Sequence, residues 1–195
     1  MHKLFDKVKI LYYYLSLHWY YRLVFAQMGS NSRVQKALRI DCPENIYIGD
    51  LVNIGCGSWL AANPLTGPHQ CRLEIGNGTY IGHFAHIYCT KTITIGADVL
   101  IADKVYLSDN LHSFENVNLP IVKQPIKQIK EVKIGDGAWI GENVCVIGAT
   151  IGKGSVIGAH SVVTKDIPAF CVAVGSPARV IKTYNFTKGH WEKVN

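Results

Sequence analysis

His112 is the residue of this chain whose placement most invites chemistry. It stands near the start of a long stretch, Asp109 to Glu131, that carries two prolines and none of the spacing found on either side of it. An imidazole titrates at about pH 6.5, so one held on firm backbone can exchange a proton at neutral pH. His83 and His86 precede it. Three histidines satisfy the count for a zinc site only if they converge across an interface. Six cysteines (Cys42, Cys56, Cys71, Cys89, Cys145, Cys171) are scattered without a CxxC pair, which reads as reduced thiols. The net charge is +6; apart from Lys123, Lys127, Lys130 and Lys133 the basic residues are dispersed, so no nucleic-acid footprint is expected.

The elements that must hold these residues are announced by ten Ile-Gly pairs, many of them six residues apart. With Ile, Leu or Val as marker, the runs are Ile48, Ile54, Leu60; Ile75, Ile81, Ile87, Ile93; Ile95, Ile101, Leu107; Ile134, Ile140, Val146; and Ile151, Ile157, Val163. A strict hexad is neither a helix face nor an alternating strand. It winds the chain into short flat sides with one apolar residue turned inward per side. The expected fold is therefore all-β, a parallel β-helix; a sandwich would show period-two alternation instead. Gly after the marker suits a corner that needs positive φ or close backbone approach. Ser58, Thr79, Ala85, Ser155 and Ser161 fit a narrow interior, and Cys56 and Cys145 are expected there as small fillers. The gap from Leu107 to Ile134 is the one large interruption, too long to fit inside a coil, so it must project. At 195 residues the length suits one domain.

Residues 1–28 stand apart from the hexad and 29–195 form the coil domain with a C-terminal tail. The stretch Ile10 to Tyr21 is aromatic, flanked by Lys9 and Arg22, and expected to be helical. It is too short to span a bilayer and lacks a small-residue cleavage site. Two roles suit it. One is a cap over the open end of the coil. The other is an interfacial anchor, with Lys3, Lys7, Lys9 and Arg22 near lipid phosphates.

The strings GDGAWIG, VIGAHSVVTKDIP and GSPARVI, all within Val132 to Lys182, resemble the hexapeptide-repeat acyltransferases. The chain looks most like the sugar and polysaccharide O-acetyltransferases, a group that includes the maltose, galactoside, O-antigen and capsule enzymes. The resemblance covers roughly residues 45–182. It implies a left-handed winding of triangular coils, an exception to right-handed crossovers. It also implies a homotrimer with active sites between subunits, and acetyl-CoA as co-substrate; the reduced thiols suit the cytoplasm.

The resemblance implies a role for each matching residue. His112 stands where the family carries its catalytic base. It would take the proton of a sugar hydroxyl attacking the thioester carbonyl. Asp109 or a backbone carbonyl would fix its tautomer. Ser113 replaces the proline usual after this histidine in maltose-type enzymes, which favours a polysaccharide acceptor. Glu142 and Ala159 match positions along the coenzyme, Thr164 and Lys165 positions near its nucleotide end, and Arg179 a phosphate contact, with Lys182 a second basic residue. Trp139 is expected in the subunit groove beside the coenzyme. His83, His86, Tyr88 and Asn110 are the acceptor-side candidates, although such residues are more often surface or subunit contacts.

Three other readings stay open at this point. The same base would serve N-acetyl transfer to an amino sugar on a nucleotide carrier. A carbonic-anhydrase-like metal site would use His83, His86 and His112, but gives the TKDIP and SPARVI strings no purpose. A passive scaffold would bind no acyl-CoA.

Overall fold

The computed structural model describes residue 8, residues 17–67 and residues 70–194. Lys3, Lys7, Lys9 and most of the Ile10–Tyr21 stretch lie outside the described residues.

Each hexad marker points into a common interior. The five marker runs are all buried, none more than 2 % exposed. The chain winds as a left-handed triangular coil with three parallel faces. Face one stacks Gln27–Met28, Ile46–Ile48, Arg72–Ile75, Thr92–Ile95, Val132–Ile134 and Thr150–Ile151. Face two stacks Arg33–Val34, Asn53–Ile54, Tyr80–Ile81, Leu100–Ile101, Trp139–Ile140, Val156–Ile157 and Cys171–Val174. Face three stacks Arg39–Asp41, Trp59–Ala62, His86–Cys89, Tyr106–Ser108, Cys145–Ile147 and Val162–Val163. Like residues sit above one another: Ile48, Ile75, Ile95, Ile134 and Ile151 form one continuous column. Burying each such side chain contributes about 1.5–3 kcal/mol, so stability grows coil by coil.

Of the two properties expected of the corner glycines, close backbone approach is the one in use. The glycine after the marker serves close approach, and φ is positive two residues later. A Cβ on Gly55 would sit 2.6 Å from the carbonyl carbon of Gly82. The left-handed residue of that corner is Gly57 at φ 73°, and in the next coil it is Phe84 at 57°. The small residues Ser58, Thr79, Ala85, Ser155 and Ser161 are buried beneath these corners. Ser58 Oγ, for instance, donates to the Gly55 carbonyl at 2.9 Å.

The cysteine fillers are corrected. Cys145 occupies an outward place on face three, in register with Tyr106, and Cys56 lies at a corner beside His83. The buried cysteines are Cys71, Cys89 and Cys171, and all six are free thiols.

Two insertions break the coil, not one. Asp109–Glu131 projects as an arm whose root is an antiparallel pair, Asn110–His112 against Ile126–Gln128. A shorter one follows Ala62 and returns at Cys71. Both leave from the vertex between faces three and one. The helix Trp19–Val24 buries Tyr21 against the first coils, and the coil starts at Gln27, paired with Tyr47. Among the described residues no helix is long and apolar enough to cross a membrane.

Candidate active site

His112 is exposed on the arm's root strand, opposite Ile126. The next amide, Ser113 N–H, donates to the Pro125 carbonyl at 3.0 Å, which extends the ladder past the histidine. The imidazole is thus carried on paired backbone and faces solvent.

Asp109 is fully buried and turned toward the coil. Its Oδ1 accepts from the Thr90 amide (2.8 Å), the Thr90 hydroxyl (3.0 Å) and Asn110 Nδ2 (3.0 Å). Its Oδ2 accepts from the amides of Lys91 (2.8 Å) and Thr92 (2.9 Å). A carboxylate has about four lone-pair sites, and these are taken. The structure does not bring this carboxylate to His112; it staples the arm to the preceding coil.

Asn110 is equally committed: Nδ2 also donates to the Tyr88 carbonyl at 3.1 Å. Tyr88 stands edge-on to Trp59 and to His86 on the outer side of face three. His86 lies between Trp59 and Tyr106, with ring centroids 4.2 and 5.2 Å away. Burial lowers its pKa and favours the neutral ring. Trp59, which the sequence reading passed over, also carries Arg39 at 5.0 Å from its ring and donates Nε1–H to Asp41 at 2.8 Å. Its register with His86, each one residue ahead of a marker, was the signal that could have found it.

His83 belongs to the vertex between faces two and three. Its Nδ1 accepts from the Cys56 amide at 3.0 Å, and its carbonyl accepts from Lys104 N–H at 2.8 Å. Further along the same vertex come Glu142 and Ala159. The Glu142 carbonyl accepts from His160 N–H at 2.9 Å, and a Cβ on Gly141 would lie 2.6 Å from the Ala159 amide nitrogen. Residues Lys104, Asn143 and His160 repeat the left-handed corner there, at φ 57°, 57° and 59°. Arg179 opens the antiparallel strand Arg179–Asn185 opposite Val174, whose Cγ1 would lie 2.8 Å from a Cβ on Gly158, beside Ala159. Trp139 is half exposed on face two, in one column with Val156, Val172 and Lys182. Glu142, Ala159, Arg179, Trp139 and Lys182 therefore share one side of the coil.

Thr164 and Lys165 do not join them. They lie at the vertex between faces three and one, on the arm's side, where neighbouring Asp166 accepts from the Thr150 amide and pairs with Lys130. That pairing, above all, and the amide hold the Asp166 carboxyl below its ordinary range. An open concavity of about 290 Å³ at the foot of the arm is lined by Lys91, Ile129, Lys130, Glu131, Lys133 and Thr150; it includes two lysines of the basic cluster and none of the candidate catalytic, coenzyme or acceptor residues. Glu131 sits between Lys91 (3.6 Å) and Lys133 (3.5 Å), so its charge is largely balanced. Among the described residues no group of three His, Cys, Asp or Glu side chains could hold a metal ion.

Comparison with known proteins bears on what this geometry belongs to. Residues 131–165 match the bacterial transferase hexapeptide family (six repeats). The chain is 40 % identical over 120 residues to WbbJ of Escherichia coli K12, a protein assigned to lipopolysaccharide biosynthesis as an O-acetyl transferase. That match takes in 58 % of this chain and 61 % of WbbJ, so the chain spans less than two thirds of that relative's length. A galactoside acetyltransferase solved in complex with coenzyme A superimposes with a TM-score of 0.62 at 31 % identity, over 90 % of this chain and 75 % of that one. The chain belongs to the hexapeptide-repeat acetyltransferases. A further member of these acetyltransferases, VCA0836 of Vibrio cholerae complexed with acetyl-CoA, superimposes with a TM-score of 0.61 at 26 % identity, over 85 % of this chain and 74 % of that one. In hexapeptide-repeat acetyltransferase terms, the arm and the corner row of Glu142 and Ala159 stand on two different vertices of one triangle.

Proposed function

We propose that this chain transfers an acetyl group from acetyl-CoA to a sugar hydroxyl in the assembly of a surface polysaccharide such as O-antigen, capsule or exopolysaccharide. The observation that carries the reading is His112, an exposed imidazole on paired backbone at the root of the arm, in a chain whose relatives include a protein assigned as an O-acetyl transferase of lipopolysaccharide biosynthesis. His112 takes the hydroxyl proton as the oxygen attacks the thioester carbonyl. The tetrahedral intermediate collapses, CoA leaves as the thiol, and the imidazolium returns the proton. Backbone N–H groups exposed at the coenzyme corners can stabilise the developing oxyanion. Arg179, Lys182 and Lys165 suit the coenzyme phosphates.

The vertex geometry supports a homotrimer. Face three separates the arm from the Glu142 corner by the strand Cys145–Ile147, about 10 Å of extended chain. The arm of one copy and the coenzyme corner of the next then form one site, with Thr164 and Lys165 on the arm's side. Acetyl-CoA supply suits the cytoplasm. Trp19, Tyr20 and Leu23, all more than half exposed, suit contact with the inner face of the membrane.

The test is CoA release from acetyl-CoA against a panel of hydroxyl sugars, nucleotide-linked amino sugars and polysaccharide precursors. Turnover of hydroxyl acceptors that is lost in His112→Ala is the expected result. Transfer to amines alone points to N-acetylation instead. Full activity of His112→Ala removes the histidine from its role, and no affinity for CoA leaves a scaffold.

A further inference from the structure

The two insertions meet. Gln128, on the arm's returning strand, spends its whole carboxamide at their junction. Its Oε1 accepts from Thr66 Oγ1 (2.5 Å) in the shorter insertion and lies 3.0 Å from Thr90 Oγ1 in the coil between them, a hydroxyl whose one proton is shared with Asp109 Oδ1. Its Nε2 donates to the carbonyls of Asp109 (2.7 Å) and Ile129 (3.1 Å). Asp109 in turn collects the Thr90, Lys91 and Thr92 amides. Three segments far apart in the chain are thus joined at one vertex, and His112 lies three residues beyond Asp109 on the strand this junction anchors.

The geometry points to Asp109, Gln128 and Thr66 as positioning residues that hold the His112 ring at a fixed place on its vertex; its catalytic meaning rests on the reading of His112 as the base. The arm beyond the junction is almost wholly exposed. Phe114, Val117, Leu119, Ile121 and Val122 all face solvent, so the tip adds little packing to fix the root. The clasp supplies what the tip lacks. Asp109 pins the outgoing strand and Gln128 the returning one. Thr66 makes the shorter insertion part of the same clasp, which gives that insertion a role the hexad pattern does not suggest. A hydroxyl-to-carboxamide bond within such a network contributes enough that breaking it should shift the placed fraction of the arm about fivefold. Misplacement of a base by about 1 Å is enough to depress turnover strongly.

The experiment uses the full chain with labelled histidines. Ring carbon–proton correlations are recorded for wild type, Thr66→Val, Thr66→Ser and Gln128→Ala, with the His112 signal assigned by its loss in His112→Ala. His190, exposed on the C-terminal strand His190–Lys193, is the internal control. Thr66→Val keeps the side-chain shape and removes the hydroxyl, and the unmoved His190 signal reports that the variant is folded. The expected result is a His112 signal that moves or broadens in Thr66→Val and Gln128→Ala, is restored in Thr66→Ser, and leaves His190 unmoved. Turnover with acetyl-CoA and the best acceptor of the panel should fall about fivefold in Thr66→Val with KM for acetyl-CoA unchanged, and should fall no further when Thr66→Val is added to His112→Ala. A His112 signal identical in all four proteins overturns the clasp. A signal that moves while turnover does not upholds the clasp and overturns His112 as the base.

Discussion

His86 lies face to face with Trp59, ring centroids 4.2 Å apart and planes 9° from parallel. Its Nε2 is buried without a hydrogen-bond partner among the described residues. The same burial depresses its pKa. A charged ring here would lose water and gain no hydrogen bond at Nε2 in exchange.

That gives a pH dependence of known sign. The folded pKa lies below the ordinary 6.5, so the unfolded chain binds the proton more readily. The neutral ring's contribution is complete above pH 6.5 and is lost as pH falls through the lowered folded value. Urea midpoints should drop between about pH 7 and pH 5, and His86→Phe should flatten that slope. An equal slope in both proteins would count against the assignment.

Corner glycines should differ by mechanism. A Cβ on Gly82 would lie 2.7 Å from the backbone carbon of Ala102 and 2.3 Å from Asp103 Oδ1. Gly82→Ala should lower stability by about 2–3 kcal/mol through overpacking. Gly137 has open space around it but φ 63°, so Gly137→Ala should lose only about 1 kcal/mol. Denaturation of the two variants side by side checks the ranking.

Kinetic effects should split by vertex. His112→Ala should reduce kcat by about 10²–10⁴ with CoA affinity unchanged. Arg179→Ala should weaken CoA binding about tenfold, more at low salt than at high. Calorimetry with CoA and turnover assays separate the two; an Arg179→Ala protein with unaltered affinity would place the phosphates elsewhere.

Thiol reactivity should follow burial. The hydrogen bond with Cys71, then burial, then the Asp109 charge push the Cys89 thiol far up, and the two sulfurs stand 3.5 Å apart in the interior. Partly exposed Cys56 and Cys145 should be alkylated in the native protein well before Cys71 and Cys89. Mass spectrometry after brief iodoacetamide treatment reads the order.

The coil was legible because its physics is local. An inward residue such as Ile134 or Ile140 recurs at a fixed interval, and nothing polar can replace it. The arm was legible as a failure of that interval. The shorter insertion was not, because the break after Leu60 looks like the smaller phase slips found elsewhere. Cys145 misled for a related reason: on a strand of three residues, a small outward side chain is indistinguishable by type from an inward one. Asp109 is matched by sequence to His112 three residues on, whereas its carboxylate is held by three amides and a hydroxyl of the previous coil and by Asn110. Counting hexads around the triangle would have shown that Glu142 and Lys165 turn different corners. Family motifs give such residues as one string and conceal the separation.

The last strands of face two leave the parallel pattern. Cys171–Val174 is parallel to its predecessor, but Arg179–Asn185 folds back against it and His190–Lys193 reverses again. A stack of parallel rungs is a template for its own extension, since each exposed rung offers amides and carbonyls in the polarity that another coil would match. The hairpin covers that rung, and its outer strand His190–Lys193, although it regains the coil's direction, is short and carries Glu192 and Lys193, which blunt the edge. On this face it acts as a stopper against end-to-end growth of molecules into fibres, and it lets a repetitive solenoid remain a discrete particle.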